Sequence, residues 1–392
     1  MGKALLSWLM RVGTVLLCIG FVTRLAAGAG GPHYLVTNDD AFFTNSVTFY
    51  TVGTGGLLSL KRQVLTGGAG IAGGSFAANR VSVLDNGGAQ CVYASDASTG
   101  DIAGIDVSAL AVGGSAMGSG SDSGSTNGIG LAMNAKYLYA GFTASNTIGT
   151  FQVEAGCGLT FVNDISVGGL QGGFIDGMAI RGNIMVVTYG DGSIESFDIA
   201  SGTPVSNGDE QNSTAYTNSK GASYPSGVEI TKDGQYAVFG DTSTSTVVEV
   251  SKIASGKLSK TTAFALGTAI NSSNILLSPD ETLLYISNTE GDKITAAMFD
   301  SATGKVSPGC ASGSLHGYST HWSYLAGLAL ETNSGTGGTI YVAEYGSPSY
   351  IGVIQVSSSG GKCVLKESSH SPVQDANSPG LLSIGTFPPV SF

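Results

Sequence analysis

Nine acidic residues, Asp39, Asp40, Asp96, Asp101, Asp191, Asp241, Glu290, Asp292 and Glu344, each follow closely on a short apolar segment. Carboxylates brought together in this way suit a hard cation such as Ca2+, or a cationic or polyhydroxylated ligand. Basic residues gather elsewhere, at Lys61, Arg62, Lys232, Lys252, Lys257 and Lys305, and none is expected among the acidic loops. Arg80 is the one basic side chain the spacing brings to the same mouth. A solvated acidic surface would account for the same carboxylates without any ligand. No contiguous EF-hand loop is present, so a metal site would have to draw on several segments.

Four histidines limit the catalytic options, and no GxSxG elbow accompanies them. His33 opens an apolar segment and His370 lies in a polar one, so both read as structural or exposed. His316 and His321 share the stretch GSLHGYSTHWSY with Trp322, a histidine–aromatic cluster suited to ligand contact or acid–base work. A loop packing its own aromatics is the plainer account. GAGIAG, Gly68 to Gly73, matches GxGxxG, yet the strand-like NRVSV follows it where a dinucleotide site needs a helix.

The elements that must position these residues are repeats. HYLVTN (from His33), CVYASD (Cys91), YLYAGF (Tyr137), MVVTYG (Met185), YAVFGD (Tyr236), LLYISN (Leu283) and TIYVAE (Thr339) end at intervals of 58, 46, 48, 51, 47 and 56 residues. Around the fifth, GVEI, QYAVFG, TVVEVSKI and LSKTTAFAL read as four strands separated by Asp-Gly and Ser-Gly turns. Such a sheet cannot bury both faces alone and must stack on copies of itself. A period near 40–50 residues with four strands per unit is the propeller signature.

First strands recur out of phase, as RVSV (Arg80), GIGL (Gly128), GMAI (Gly177), GVEI (Gly227), NILL (Asn274), GLAL (Gly327) and GLLS (Gly380). The repeat region thus opens on a second strand and ends on a spare first strand, Gly380 to about Gly385. The fold class expected is an all-β, seven-bladed β-propeller of four-stranded antiparallel blades, its ring closed by the C-terminal strand completing the first blade. Loops joining second to third strands, and outer strands to the next inner strand, share one face, here called the top. Ala111 to Asn127 and Gly202 to Ser226 read as long polar connections on that face.

Residues 1–29 differ from the rest. Lys3 and Arg11 precede the apolar run Val12–Val22, and LAAGAG offers small residues for cleavage after about Ala29. This reads as a secretory signal peptide, the run being short for a bilayer span. The partition is therefore 1–29 signal peptide and 30–392 propeller, with an exported product that has no membrane span once cleaved. The formal charge is -11. Without Lys3, Arg11 and Arg24, 14 basic residues face 28 acidic ones, a net of -14. Such a charge repels nucleic acid and anionic membranes, leaving a small molecule, saccharide or protein as partner. Four cysteines remain after cleavage, in no zinc pattern. Cys310 and Cys363 fall in outer segments of consecutive repeats and suit a disulfide, Cys91 reads as a buried thiol, and spacing alone leaves the pairing open.

With SPDETLLYISN (Ser278–Asn288), TKDGQYAVFGD (Thr231–Asp241) and the G-K-[LV] turns at Gly256 and Gly304, residues 33–390 resemble the lactonase-like seven-bladed propellers. That family spans 6-phosphogluconolactonase and carboxymuconate-cyclising branches and grades into YVTN-repeat propellers. The resemblance implies the fold and, as an alternative function, hydrolysis of a lactone. Its enzymes carry histidines just before an inner strand, near a proline, and basic residues for acidic substrates. Here that position reads YPSGVEI (Tyr224–Ile230), without histidine. The reading taken from the residues is a binding or surface-interaction module whose ligand meets Asp39, Asp96, Asp241, Asn288, Glu290, Glu344, His321, Trp322 and Arg80, with a structural envelope role as a further option.

Overall fold

A computed structural model describes residues 33–73, 79–86, 88–118, 128–221, 224–242, 247–266, 272–288, 292–316, 324–331, 338–359 and 362–389. Seven antiparallel sheets form the blades, each with an inner, second, third and outer position. The second strands, such as Tyr34–Asn38, Gln90–Asp96, Tyr236–Asp241 and Gly338–Tyr345, coincide with the apolar repeats. Each is flanked by strands on both edges and by neighbouring blades on both faces, so it reads as an unbroken apolar run rather than an alternation.

Seven hydrophobic clusters account for the stacking, one between each pair of adjacent blades. Between the first and second blades, for example, Val36 and Phe49 meet Val81, Val92 and Ile105, all buried. The core is thus a ring of interfaces, and each blade contributes to two of them.

Closure follows the expected pattern with shifted bounds. The last strand is Ser383–Phe387, paired antiparallel with the first from Tyr34↔Phe387 to Asn38↔Ser383. It begins only at the last residue of GLLS, Ser383, while Leu381 and Leu382 before it are buried in the cluster between the seventh and first blades. Other inner strands bulge where they start, as between Ile175 and Gly177, Pro225 and Val228, and Leu325 and Leu328.

Cys310 is bonded to Cys363, as expected. Three further expectations need correction. Cys91 is not a free buried thiol but is bonded to Cys157, so each of the two disulfides ties neighbouring blades. Cys157 reaches Cys91 because the turn Ala155–Cys157 leans onto the second blade, where Gly104 leaves the space a Cβ would fill. Ala111–Met117 is the outer strand of the second blade rather than loop, its pattern hidden because an outer edge is exposed. Gly202–Ser226 holds two short outer strands, Val205–Ser206 and Gln211–Asn212, and a helix, Thr214–Ser219, capped by the Ser213 hydroxyl.

Candidate functional site

The expected site residues that are described, Asp39, Arg80, Asp96, Asp241, Asn288 and Glu344, lie in or beside the blade strands, and their carboxylates do not open onto a common mouth. Asp39, Asp96, Asp241 and Glu344 are all buried. Asp39 accepts from the Thr37, Ser46 and Thr48 hydroxyls at 2.7, 2.5 and 2.8 Å. Asp96 accepts from Asn45 Nδ2 at 2.7 Å and Thr66 Oγ1 at 2.8 Å, both in the first blade. Asn288 donates to the Lys293 carbonyl at 2.9 Å and to Thr295 at 3.2 Å. These side chains tie strands and blades together. Lys293, immediately before the strand Ile294–Asp300, also belongs to this loop set, so the acidic loops are not free of basic residues.

Burial dominates the electrostatics. It pushes Asp39 up to about 7, helped by the nearby Asp375 charge and opposed by the three hydroxyls. Asp96 rises to about 7 for the same leading reason. Glu344 rises to about 8 through burial and then the Glu367 charge, and neither carboxylate oxygen has a hydrogen-bond partner. An uncompensated buried carboxylate takes up a proton rather than remain charged.

Arg80 is not a free cation at a mouth. Its Nη1 lies 2.6 Å from Asp40 Oδ2, and both residues are 1% exposed. Asp40 also accepts from the backbone N–H groups of Ile71 and Gly73, at 3.1 and 3.2 Å. GAGIAG is therefore an anion cradle in a real sense, filled by the chain's own carboxylate; Gly70 is required because its backbone presses directly on Asp40.

His316 is exposed and its Nδ1 lies 2.7 Å from Glu367 Oε2, while Ser371 Oγ donates to Glu367 Oε1 at 2.7 Å. The carboxylate separates serine from histidine, so the imidazole cannot activate that hydroxyl. Glu290, His321 and Trp322 lie outside the described residues. Among the described residues, no three His, Cys, Asp or Glu side chains come together as a metal site.

Two hollows remain. The axis is a channel of about 310 Å3 lined by inner strands, with Val83, Met133, Ile180 and Leu330 on its walls and Glu229 its one charged lining residue among those described. Burial raises Glu229 to about 7, opposed by Arg181. The larger hollow is a top-face cleft of about 810 Å3 between the turn Ala41–Thr44 of the first blade and the segments 347–348 and 374–379 of the seventh. Phe42 and Phe43 line it at 57% and 95% exposure. Gln374 and Asn377 also line it, and Asp375, 1% exposed, is its only ionisable lining residue among those described. The cleft's wall is anchored from behind: the Asn377 N–H donates to Asp375 Oδ1 at 3.2 Å and Ser378 Oγ to the Asp39 carbonyl at 3.0 Å. Its residues were missed in the sequence, although two adjacent phenylalanines in an otherwise polar turn, DDAFFTN, mark it.

No family model matches the chain, and no curated protein matches it by sequence. Solved structures do match its fold. A provisionally assigned 6-phosphogluconolactonase from Bacteroides fragilis has a TM-score of 0.69 at 14% identity, over 92% of this chain and 99% of that one. A protein of unknown function from Desulfotomaculum acetoxidans gives 0.64 at 14%, over 90% and 98%. The periplasmic gluconolactonase PpgL of Pseudomonas aeruginosa gives 0.61 at 14%, over 88% and 98%. In fold, the chain is a seven-bladed propeller similar to the lactonase-like propellers.

Proposed function

We propose that the chain is an exported binding module that takes a small, uncharged ligand in the top-face cleft between Ala41–Thr44 and Gln374–Pro379. The observation that carries this reading is the lining itself. It combines two exposed aromatic rings with amide and hydroxyl groups, and its one ionisable member among the described residues is buried. Its volume lies in the range of ligand pockets, roughly 300–1,000 Å3. The acidic residues support it indirectly, by holding the cleft's walls rather than by meeting the ligand. Export is supported by the signal-like residues 1–29 and by two disulfides, which persist in oxidising compartments.

A lactonase-type hydrolase is the second reading, favoured by the fold of the gluconolactonase neighbours. The Arg80 guanidinium, which would have to meet an anionic lactone, is buried on Asp40. Ligand-observed NMR with neutral, anionic and cationic small molecules, on wild type and Phe43→Ala, tests the first reading; neutral compounds should give signals that the substitution removes. Hydrolysis of gluconolactone and of its 6-phosphate should not exceed the buffer rate. A saturable lactonase rate with no Phe43-dependent binding would overturn the binding reading.

A further inference from the structure

We infer that the ligand of this cleft is a neutral saccharide, from a single sugar to a trisaccharide, stacked on Phe42 and Phe43 and oriented by Gln374. This rests on the cleft being the ligand site. A sugar ring carries C–H groups on its faces and hydroxyls around its edge. An aromatic ring presents a negative face, which attracts the C–H side, and a large apolar area. The hydroxyl edge must keep its hydrogen bonds when water leaves, or the desolvation cost cancels the stacking.

Both requirements are met by the residues that line this cleft. Phe42 and Phe43 form one wall, in a turn where Phe43 is 95% exposed although its neighbours Asn45 and Asp40 are buried. The seventh blade contributes the exposed Gln374 side-chain amide, and Thr44 adds a hydroxyl from the same turn as the phenylalanines. An amide supplies donors and an acceptor without charge, which suits hydroxyls that act as both. No lysine, arginine or histidine lines the cleft among the described residues, so nothing there pairs with a phosphate, carboxylate or sulfate. A purely apolar ligand would leave the amide wall dry and unpaired.

The polar wall is also fixed in place, which limits the ordering cost of binding. Asp375 lies behind it with Oδ1 on the Asn377 N–H, and the Asn377 amide reaches Thr48 Oγ1 at 3.4 Å. Asp375 is thus a positioning residue, buried away from the ligand.

Saturation-transfer NMR on the full-length secreted protein, with methyl glucoside, methyl galactoside, maltotriose, cellotriose and chitotriose as probes, tests the inference. N-Cyclohexylacetamide serves as a neutral probe of similar size without hydroxyls. At least one saccharide should show transfer strongest at its ring C–H protons. Phe43→Ala should weaken its binding about tenfold or more, and Gln374→Ala several-fold, with unchanged unfolding temperatures because both side chains lie at the surface. Phe43-dependent binding of N-cyclohexylacetamide without any saccharide would overturn the saccharide class while leaving the cleft as the ligand site. Absence of Phe43-dependent binding by every probe would overturn both. Sedimentation showing dimers that Phe43→Ala dissolves would overturn both as well, and assign the phenylalanines to self-association.

Discussion

Arg80 and Asp40 form an ion pair, Nη1 to Oδ2 at 2.6 Å, with both side chains withdrawn from water. The pair joins the turn after the first blade's second strand to the start of the second blade's inner strand. Burial pushes Asp40 up, and the Arg80 charge and the Ile71 and Gly73 N–H groups pull it back. Losing Arg80 strands the Asp40 charge. Arg80→Met should therefore destabilise the fold by about 3–5 kcal/mol, whereas Arg80→Met with Asp40→Asn, which removes the charge but keeps an acceptor for the Ile71 and Gly73 N–H groups, should cost less than the single change. Urea unfolding of the two variants checks this. Equal losses would show that the pair does not act as a unit.

This pair also shows which parts of the molecule are legible in the sequence. The blades are, because a strand enclosed on all sides must be an apolar run, and seven such runs recur at near-constant spacing. The fate of the carboxylates after those runs is not. Whether Asp96 faces a mouth or the next blade depends on Asn45 and Thr66, which lie 51 and 30 residues away. Cys91 likewise finds its partner 66 residues on, through a turn that carries no motif. Pairing across blades has no local signature; the adjacent phenylalanines at 42 and 43 do.

Closure of the ring depends on five residues. Ser383–Phe387 covers the free edge of Tyr34–Asn38 and buries Ile384 and Phe387 in two neighbouring interfaces. Deleting residues 383–392 should expose that edge and two apolar seams, giving aggregation or a loss of cooperative unfolding. Size-exclusion chromatography and thermal unfolding read the outcome. A monomer with an unchanged melting temperature would contradict this role.

The disulfide Cys91–Cys157 closes a sequence separation of 66 residues between the second and third blades. The chain-entropy relation gives about 4 kcal/mol for a loop of that size. Replacing both cysteines by alanine should lower the unfolding free energy by an amount of that order while leaving the far interfaces intact. Hydrogen exchange resolves the location. Protection should fall first in Gln90–Asp96 and Leu159–Ser166 and last in the fifth and sixth blades.

The buried carboxyls make stability depend on pH in a direction opposite to ordinary acid denaturation. Asp39 and Asp96 rise to about 7, and Asp176 and Glu344 to about 8, burial being the first cause in each. In the unfolded chain the same groups titrate near about 4. Between these values the folded state holds more protons than the unfolded one, so its stability falls as pH rises. The contribution is fully present below about 4 and is lost through 7 to 8. Asp106 and Asp300 work the other way. Hydrogen bonds, from Ser108 and Thr303 first, hold them low, so their contribution is lost only as pH falls below the usual carboxylate range. The melting temperature should therefore peak at mildly acidic pH and decline towards pH 8. Glu344 is the sharpest probe, since neither of its oxygens has a hydrogen-bond partner and Gln keeps its shape without the charge. Glu344→Gln should flatten the decline between pH 5 and 8, with the variant about 2 °C or more above wild type at pH 8 relative to their difference at pH 5. Melting curves at matched ionic strength measure it. Parallel profiles for wild type and variant would mean that Glu344 carries no proton of its own across this range.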